Sequence, residues 1–397
     1  MPRDRNDWNR RIRKLIGRFR SPAAGLPAAS VPVLQTYDMG ESTDSTSNSL
    51  ATSQAVLRAR TNLLYVLDEI DCEDSTSSGE LVPGAAVVDY IRKVECYSNH
   101  KVCDALERCD ITTAEWQKVC FAAHAAKDVH KMPKSPGQST LVSGSRAGTS
   151  KIYSITQRTE DSGQYLIIAI RATRTAFDWT VNFNSDLVDF PEVRNDIKCH
   201  KGFLSVARNM RASIENAIRE QTLPLDEPIQ TILTGHSSGA AVAQLLFAIL
   251  SAPDTANAET AVSSITKIDC ITFGGPPVSV APLHDSTNRR GGLFLNIVNE
   301  GDPVSLARPE YFDSLLKAYL EPPPSAAASW KVPPSTLHAS GRQILLRDIS
   351  EEGSDVEYPE AYWVDHRQLS LVIFGNPVRH SMTLYRNQVV EIRDRQE

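Results

Sequence analysis

The chain has 397 residues, 41% of them hydrophobic and 23% charged, which are the proportions of an ordinary folded globular protein. Its formal net charge of −6 gives no electrostatic reason to expect a nucleic-acid partner. The cysteines lack the C-x-x-C spacing of a zinc site, so we predict no metal site and reduced thiols. We find no apolar run of the kind expected for a secretory signal or a membrane span. These features favour an intracellular, cytoplasmic protein.

Residues 3–20 are strongly basic and are predicted to form an amphipathic helix. Its apolar face would carry Trp8, Ile12, Leu15, Ile16 and Phe19. Such a helix is typical of one that lies in an anionic membrane interface, which would give peripheral membrane contact. An ordinary charged helix docked on the protein is an equal alternative. A mitochondrial presequence is a third interpretation, which the acidic residues Asp4 and Asp7 weaken.

The pattern divides the chain into three parts. Residues 1–50 contain the basic start and a Ser/Thr-rich linker, which has too few large apolar residues to bury and is predicted to be disordered. Residues 51–130 are predicted to form a helical layer that packs on the following domain. One of its helices opens with the capping-box spacing of Thr112 and Glu115. Residues 131–397 are assigned to a catalytic domain.

Continuous apolar runs in this third part predict strands that are buried on both faces. They cover residues 165–170, 229–233, 268–273 and 293–298. Helical runs lie between them at residues 204–219 and 240–250, which implies crossover connections, a mainly parallel sheet and an α/β fold. Residues 151–157 alternate like an edge strand. Prolines mark an excursion at about residues 320–358, after which residues 369–374 and 388–392 are predicted as final strands.

A G-x-S-x-G pattern lies between a predicted strand and a predicted helix, at residues 235–239. This context is typical of a nucleophile elbow, in which a serine occupies a sharp strand-to-helix turn. Gly235 and Gly239 would leave room for that turn. We therefore predict that Ser237 is the nucleophile of a serine hydrolase. Because adjacent side chains diverge in a sharp turn, we expect His236 to have a structural role.

A serine hydroxyl is a poor nucleophile unless a histidine accepts its proton and a carboxylate orients that histidine. In this type of fold the carboxylate and then the histidine follow the serine along the chain. Asp302 comes just after a predicted strand and is our choice for the carboxylate, with Glu300 in reserve. For the histidine we prefer His380, with His366 as the alternative.

The oxyanion hole requires at least two hydrogen-bond donors. One is predicted to be the backbone N–H of Ser238, the residue after the nucleophile. The second is expected from the loop that follows the strand at residues 165–170, where Thr173 could donate both its N–H and its hydroxyl.

Several ordered sequence blocks resemble those of class 3 lipases, the fungal-lipase-like branch of the α/β-hydrolases. They are residues 168–173 with Asp178, Trp179 and Asn182 (R-G-[ST]…[DN]-W…N), 200–203 (H-x-G-F), 234–239 (T-G-H-S-L-G), 272–276 (T-F-G-x-P), 299–304 (N-x-x-D-x-V) and 380–385 (H-S-x-x-Y). Two positions depart from the family pattern. Ala172 replaces a glycine beside the oxyanion residue, and Ser238 replaces the leucine after the nucleophile.

The resemblance implies an α/β-hydrolase fold and a Ser237–Asp302–His380 triad that needs neither a metal nor an organic cofactor. It implies a carboxylic-ester hydrolase that acts on an acylglycerol or a related lipid, with a lid near residues 175–190. Alternatives within the same chemistry are a phospholipase A1 and an esterase of soluble esters. A catalytically silent, lipase-like scaffold is the alternative from another functional class. Protein partners are not indicated by the sequence.

Overall fold

The structure is a computed structural model that describes residues 45–73, 84–130, 140–142, 151–160, 163–172, 186–222, 229–252, 267–283, 292–324, 328–350 and 356–396. Its α-helices are α1 (Ser45–Glu73), α2 (Ala85–Glu95), α3 (Thr113–Asp128), α4 (Lys201–Thr222), α5 (Ser238–Ser251), α6 (Pro309–Leu320), α7 (His366–Ser370) and α8 (Met382–Asp394). Its strands are β1 (Thr140–Val142), β2 (Tyr153–Glu160), β3 (Gly163–Ile170), β4 (Leu187–Asp189), β5 (Lys198–His200), β6 (Gln230–His236), β7 (Lys267–Phe273), β8 (Phe294–Asn299), β9 (Arg342–Ser350) and β10 (Glu357–Val364).

One large sheet organises the described residues, with the strand order β1-β2-β3-β6-β7-β8-β9-β10. The central strands from β3 to β9 pair in parallel. Antiparallel pairing is confined to the two sides, where β1 and β2 precede β3 and β10 follows β9. Strands β4 and β5 form a separate ribbon. The predicted α/β fold with a mainly parallel sheet is confirmed.

Helices cover both faces of this sheet. On one face, α4 and α5 share a hydrophobic cluster with β3, β6 and β7. On the other face, α3 and α8 share a second cluster with the same strands and with β8 and β9. A third cluster joins α1, α2 and α6 near β8 and β9. The central strands are buried on both sides, which explains why their sequences are continuous apolar runs.

Helix α3 belongs to the core of the sheet although it comes early in the chain. Its N-terminus has the predicted capping box, because Thr112 and Glu115 each bind the other's backbone N–H. Trp116 is fully buried. The helix also contacts α8, where Lys127 Nζ donates to Thr383 Oγ1 over 2.8 Å. Residues 113–128 therefore build the same hydrophobic core as the strands of the third part of the chain.

Several predictions about local structure were wrong. Helix α1 starts at Ser45, so residues 45–50 of the predicted disordered linker are helical. The proline-rich excursion contains β9 and leads into β10, and both strands extend the main sheet. Neither of the two predicted final strands forms: residues 369–370 end α7, residues 371–374 are a turn and irregular chain, and residues 388–392 are helical. A capping box between Asp365 and Gln368 starts α7, and the β-branched residues of 388–392 lie in α8.

The predicted basic helix at residues 3–20 and the predicted lid residues 175–185 lie outside the described residues. Among the helices that the structure does describe, none combines the length and the apolar character needed to cross a membrane.

Candidate active site

Ser237 lies at the sharp turn between β6 and α5. Its backbone has φ +59° and ψ −128°, and it is the only non-glycine residue with a positive φ in the described part of the chain. Such a conformation is strained for a residue with a Cβ and is concentrated at functional sites. The Ser237 N–H donates to the carbonyl of Phe273 over 3.0 Å, which ties the turn to the end of β7. The geometry is that of the predicted nucleophile elbow.

The two glycines around Ser237 allow close backbone contacts. A Cβ at Gly235 would lie 2.6 Å from the carbonyl carbon of Gly239. A Cβ at Gly239 would lie 2.3 Å from the carbonyl oxygen of Ile170, at the end of β3. Neither position has room for a side chain, so the G-x-S-x-G spacing follows from the packing of α5 against its neighbouring strands.

Asp302 and His380 are brought together from distant parts of the sequence. Asp302 follows β8, and His380 ends the short 3-10 helix Pro377–His380 that precedes α8. Since β6 and β8 are parallel members of one sheet, their C-terminal ends bring Ser237 and Asp302 to the same edge. His380 Nδ1 lies 2.9 Å from Asp302 Oδ2, and both side chains are buried. The carboxylate thus holds the imidazole through Nδ1.

Asp302 is itself fixed by two further hydrogen bonds. Its Oδ1 accepts the backbone N–H of Val304 over 2.8 Å. Its Oδ2 accepts the hydroxyl of Tyr385 over 2.6 Å, and the Tyr385 oxygen accepts the backbone N–H of Asn299 over 2.9 Å. Burial, together with the Asp302 carboxylate, raises the pKa of Tyr385 well above its usual range, so the phenol keeps its proton and donates it.

Tyr385 is a site residue to which sequence reasoning assigned no role. It occupies the last position of the H-S-x-x-Y block and therefore carried a signal by its spacing from His380. That spacing alone does not say which atom the hydroxyl contacts.

His236 also supports the candidate site. Its Nε2 lies 2.7 Å from the main-chain oxygen of His380, and the two rings are 4.4 Å apart. Because a carbonyl oxygen only accepts, Nε2 of His236 carries the proton. Burial and the neighbouring His380 and His130 lower the pKa of His236 well below its usual range, so this ring is neutral near pH 7. The contact agrees with the expected structural role of His236.

Gly274 lies where the elbow meets the Asp302–His380 pair. It has φ +55°, in the left-handed region that favours glycine. A Cβ there would lie 2.8 Å from Asp302 Oδ2, 3.1 Å from His380 Nδ1 and 3.1 Å from the Tyr385 hydroxyl. The glycine of the T-F-G-x-P block is thus required by both conformation and space.

The Ser237 side chain is fully buried, and its Oγ has no hydrogen-bond partner among the described residues. Catalytic hydrogen bonds often form only once substrate is bound. Ser238 begins α5, so its N–H lies at the N-terminus of that helix. Thr173, the other predicted oxyanion residue, lies outside the described residues, whereas the neighbouring Ala172 is buried.

The two reserve residues are engaged elsewhere. Glu300 forms an ion pair with Arg347 over 2.8 Å and accepts the backbone N–H of Val102. His366 stacks on His338 with ring centroids 3.8 Å apart. In the described part of the chain, neither forms a hydrogen bond with Ser237 or Asp302. Within the described ranges, no group of three or more His, Cys, Asp or Glu side chains is arranged to hold a metal ion.

The geometry can be compared with known families. Residues 167–312 match the family model described as lipase (class 3). These residues, less than half of the chain, are similar to class 3 lipases. The match includes the elbow and Asp302, and it supports the predicted class of enzyme, a carboxylic-ester hydrolase of the lipase type.

This chain is distant in sequence from its individual relatives. It is 27% identical over 154 residues to the chloroplastic phospholipase A(1) DAD1 of Arabidopsis thaliana, an alignment that covers 35% of the chain and 33% of that relative. The chain thus matches about a third of the length of this curated relative. A lipase from Rhizopus microsporus var. chinensis aligns with a TM-score of 0.43 at 18% identity, over 71% of this chain and 92% of that one. The triacylglyceride lipase of Rhizomucor miehei gives 0.42 at 16% identity, over 68% and 94%.

The comparisons correct one prediction. The Arabidopsis relative is by its name a chloroplastic protein, which contradicts the predicted cytoplasmic location. The prediction relied on the lack of a secretory signal core. That criterion says nothing about organelle-targeting segments, which are basic, amphipathic and rich in serine rather than apolar.

Proposed function

We propose that this chain hydrolyses carboxylic esters of lipids through an acyl-enzyme formed on Ser237. The observation that carries the proposal is the strained elbow serine, set at the same sheet edge as a buried His380–Asp302 pair. The strained backbone of Ser237 costs free energy that the rest of the fold must offset. An ordinary exposed turn would not need this strained conformation.

The reaction follows the logic of a serine triad. Ser237 Oγ attacks the acyl carbonyl while His380 Nε2 accepts its proton. Asp302 keeps the imidazole in the orientation with Nδ1 protonated, supported by the 2.9 Å contact, and stabilises the imidazolium that forms. The proton then passes to the leaving alcohol, and the acyl group stays on Ser237. Water, activated by His380, attacks the acyl-enzyme and releases the fatty acid.

The negative charge that develops on the carbonyl oxygen needs donors in place beforehand. The N–H of Ser238 at the start of α5 is the first of them, and the helix N-terminus adds a favourable dipole. Thr173 remains our choice for the second donor.

For the substrate we propose an acylglycerol or a closely related lipid ester. A second candidate is the sn-1 ester of a phospholipid, because the Arabidopsis relative is by name a phospholipase A(1). We also keep the proposal that residues 3–20 contact an anionic membrane surface, on the basis of their basic amphipathic pattern.

Labelling with a fluorophosphonate probe tests the activity. We expect the native chain to be labelled, and labelling to vanish in Ser237→Ala and in His380→Ala, while His366→Ala keeps it. Loss in His366→Ala with retention in His380→Ala would transfer the base to His366. A folded native chain that stays unlabelled with detergent present would favour the silent scaffold.

Hydrolysis of defined lipids separates the substrate candidates. Diacylglycerol and triacylglycerol would be compared with phosphatidylcholine labelled at either the sn-1 or the sn-2 chain. Release of the sn-1 chain alone would favour the phospholipase A1 activity. For the membrane contact, liposome co-sedimentation would compare the full chain with one that lacks residues 3–20, and equal binding would reject it.

A further inference from the structure

Lys151 lies at the same end of the sheet as Ser237 and Asp302, although it comes from a different part of the chain. It lies two residues before β2, and β2 runs antiparallel to β3. The first residues of β2 therefore stand beside the last residues of β3, where the N–H of Arg171 donates to the carbonyl of Ile152 over 2.9 Å. This places Lys151 beside the C-terminal end of β3.

The ammonium group of Lys151 contacts the residue after the nucleophile. Lys151 Nζ donates to Ser238 Oγ over 2.9 Å. Only 9% of Lys151 and 1% of Ser238 is exposed. A lysine is seldom this buried, because removing an ammonium from water costs free energy that its contacts must offset. Ser238 also stands where class 3 lipases usually have leucine, and a leucine side chain would offer the ammonium no acceptor.

The contact lies directly at the proposed oxyanion hole. Ser238 supplies the backbone N–H that we assign to the developing negative charge. The turn that follows is packed against β3, since a Cβ at Gly239 would lie 2.3 Å from the carbonyl oxygen of Ile170. The packing of Gly239 on β3 restricts the backbone after Ser238. We infer that the hydrogen bond from Lys151 to the Ser238 side chain restricts it further and so orients the Ser238 N–H.

We propose that Lys151 is a positioning residue for the oxyanion hole, and that it acts by holding Ser238 through the Nζ–Oγ hydrogen bond. The proposal rests on the proposed function, because it assumes that the Ser238 N–H stabilises an oxyanion. Lys151 and Ser238 form a buried hydrogen-bonded pair. At this position the family pattern has an apolar leucine, whereas this chain has a serine that makes a polar contact.

The first arm of the test is steady-state hydrolysis of a soluble ester by Lys151→Met. Removing one oxyanion donor outright typically lowers kcat by about 100-fold to 1,000-fold, so loosening one should lower kcat by roughly 10-fold. KM should stay within about twofold, because the hydrogen bond matters in the transition state rather than in the ground state. A boronic acid inhibitor, whose adduct places a negative oxygen in the hole, should lose affinity by a similar factor. Lys151→Arg retains a donor and should recover most of kcat.

The second arm is a double-mutant cycle with Ser238→Ala, which removes Oγ and keeps the backbone N–H. If Lys151 acts through Ser238, then Lys151→Met should lower kcat by less than twofold in the Ser238→Ala background. Independent, multiplicative losses would overturn the proposal. The Ser238→Ala variant also carries the test by itself if Lys151→Met fails to fold, since it should lower kcat without changing KM.

The matched control is Lys127→Met. Lys127 also donates to a hydroxyl over 2.8 Å, that of Thr383, but it does so between α3 and α8. This variant should keep the native kcat. Unlabelled native chain in the fluorophosphonate assay would overturn both the proposed function and this inference. Labelled native chain with an unchanged kcat in Lys151→Met would overturn the inference alone.

Discussion

The hydroxyl of Tyr385 lies 2.6 Å from Oδ2 of Asp302, the same carboxylate oxygen that faces the imidazole of His380. One oxygen therefore accepts two hydrogen bonds inside a fully buried setting. The hydrogen bond from the phenol stabilises the negative charge of the carboxylate. It also prevents the carboxylate from rotating away from the imidazole of His380.

Tyr385→Phe should lower kcat by roughly 10-fold, because a hydrogen bond to a charged group contributes about 1.5–3 kcal/mol and only part of that acts on the transition state. Ester hydrolysis and thermal unfolding would be measured together. Tyr153→Phe is the control, since it removes a hydrogen bond of a buried tyrosine to Ser213 away from the triad. Equal kcat in both variants would show that the tyrosine has no part in orienting Asp302.

Gly274→Ala should nearly abolish activity. The added methyl group would lie 2.8 Å from Asp302 Oδ2, so the Asp302–His380 pair would have to move apart. A displacement of about 1 Å in a catalytic group can cost roughly 100-fold in rate. Gly163→Ala is the control. Gly163 also has a positive φ, +127°, but a Cβ added there would have no atom within 4 Å. This control variant should lose stability and keep its rate of fluorophosphonate labelling, whereas fast labelling of Gly274→Ala would refute the steric argument.

The low pKa of His236 gives a pH dependence of stability. Burial keeps this ring neutral in the folded chain, while the unfolded chain binds a proton below about pH 6.5. Protonation thus favours unfolding, and the free energy of unfolding should fall as the pH is lowered from about 6.5, by up to about 1.4 kcal/mol per pH unit for this residue.

His236→Gln retains an N–H that can donate to the carbonyl of His380, but it does not titrate. Urea unfolding at several pH values should therefore give a shallower decline for this variant between about pH 6.5 and pH 5. Parallel declines in the native chain and the variant would contradict the prediction. The residual decline belongs to groups such as His124, whose pKa is also lowered by burial and by the nearby Arg386.

Breaking the ion pair between Lys118 and Asp269 should lower the free energy of unfolding. It joins α3 to β7 over 2.8 Å, with side chains 9% and 0% exposed. Lys118→Met would leave a buried carboxylate without its cation, at a cost of about 3–5 kcal/mol. Lys118→Met combined with Asp269→Asn should recover much of this, since asparagine still offers an oxygen to the N–H of Leu293. Urea unfolding measures the stability of the single and the double variant. A Lys118→Met variant as stable as the native chain would contradict the prediction.

The sequence predicted those parts of the molecule whose chemistry is local. Ser237 was recognisable because a strained turn needs glycine on both sides, and the buried strands because parallel strands are apolar throughout. The meeting of Asp302 with His380 followed from chain order and from the family resemblance. Their assignment as a catalytic pair stays a prediction until the variants are tested.

The rest depended on long-range packing, which a local pattern does not contain. The β-branched residues Val389 and Ile392 favour a strand, yet in α8 they share a helix face with Tyr385 that packs on α3 and the sheet. Strand β9 was hidden by its proline-rich surroundings. The contact between Lys151 and Ser238 could not be read from the sequence, because it requires that β2 and β3 be antiparallel neighbours.

The packing of α3 against α8 has a consequence for synthesis of the protein on the ribosome. Helix α3 emerges more than two hundred residues before α8, which follows from the positions of Thr113 and Asp394. Until α8 is made, one face of the sheet lacks one of the two helices that cover it, and Asp302 lacks its hydrogen bond from Tyr385. We therefore expect the nascent chain to expose apolar surface until α8 has been made. The serine would become reactive only after His380 and α8 have been synthesised.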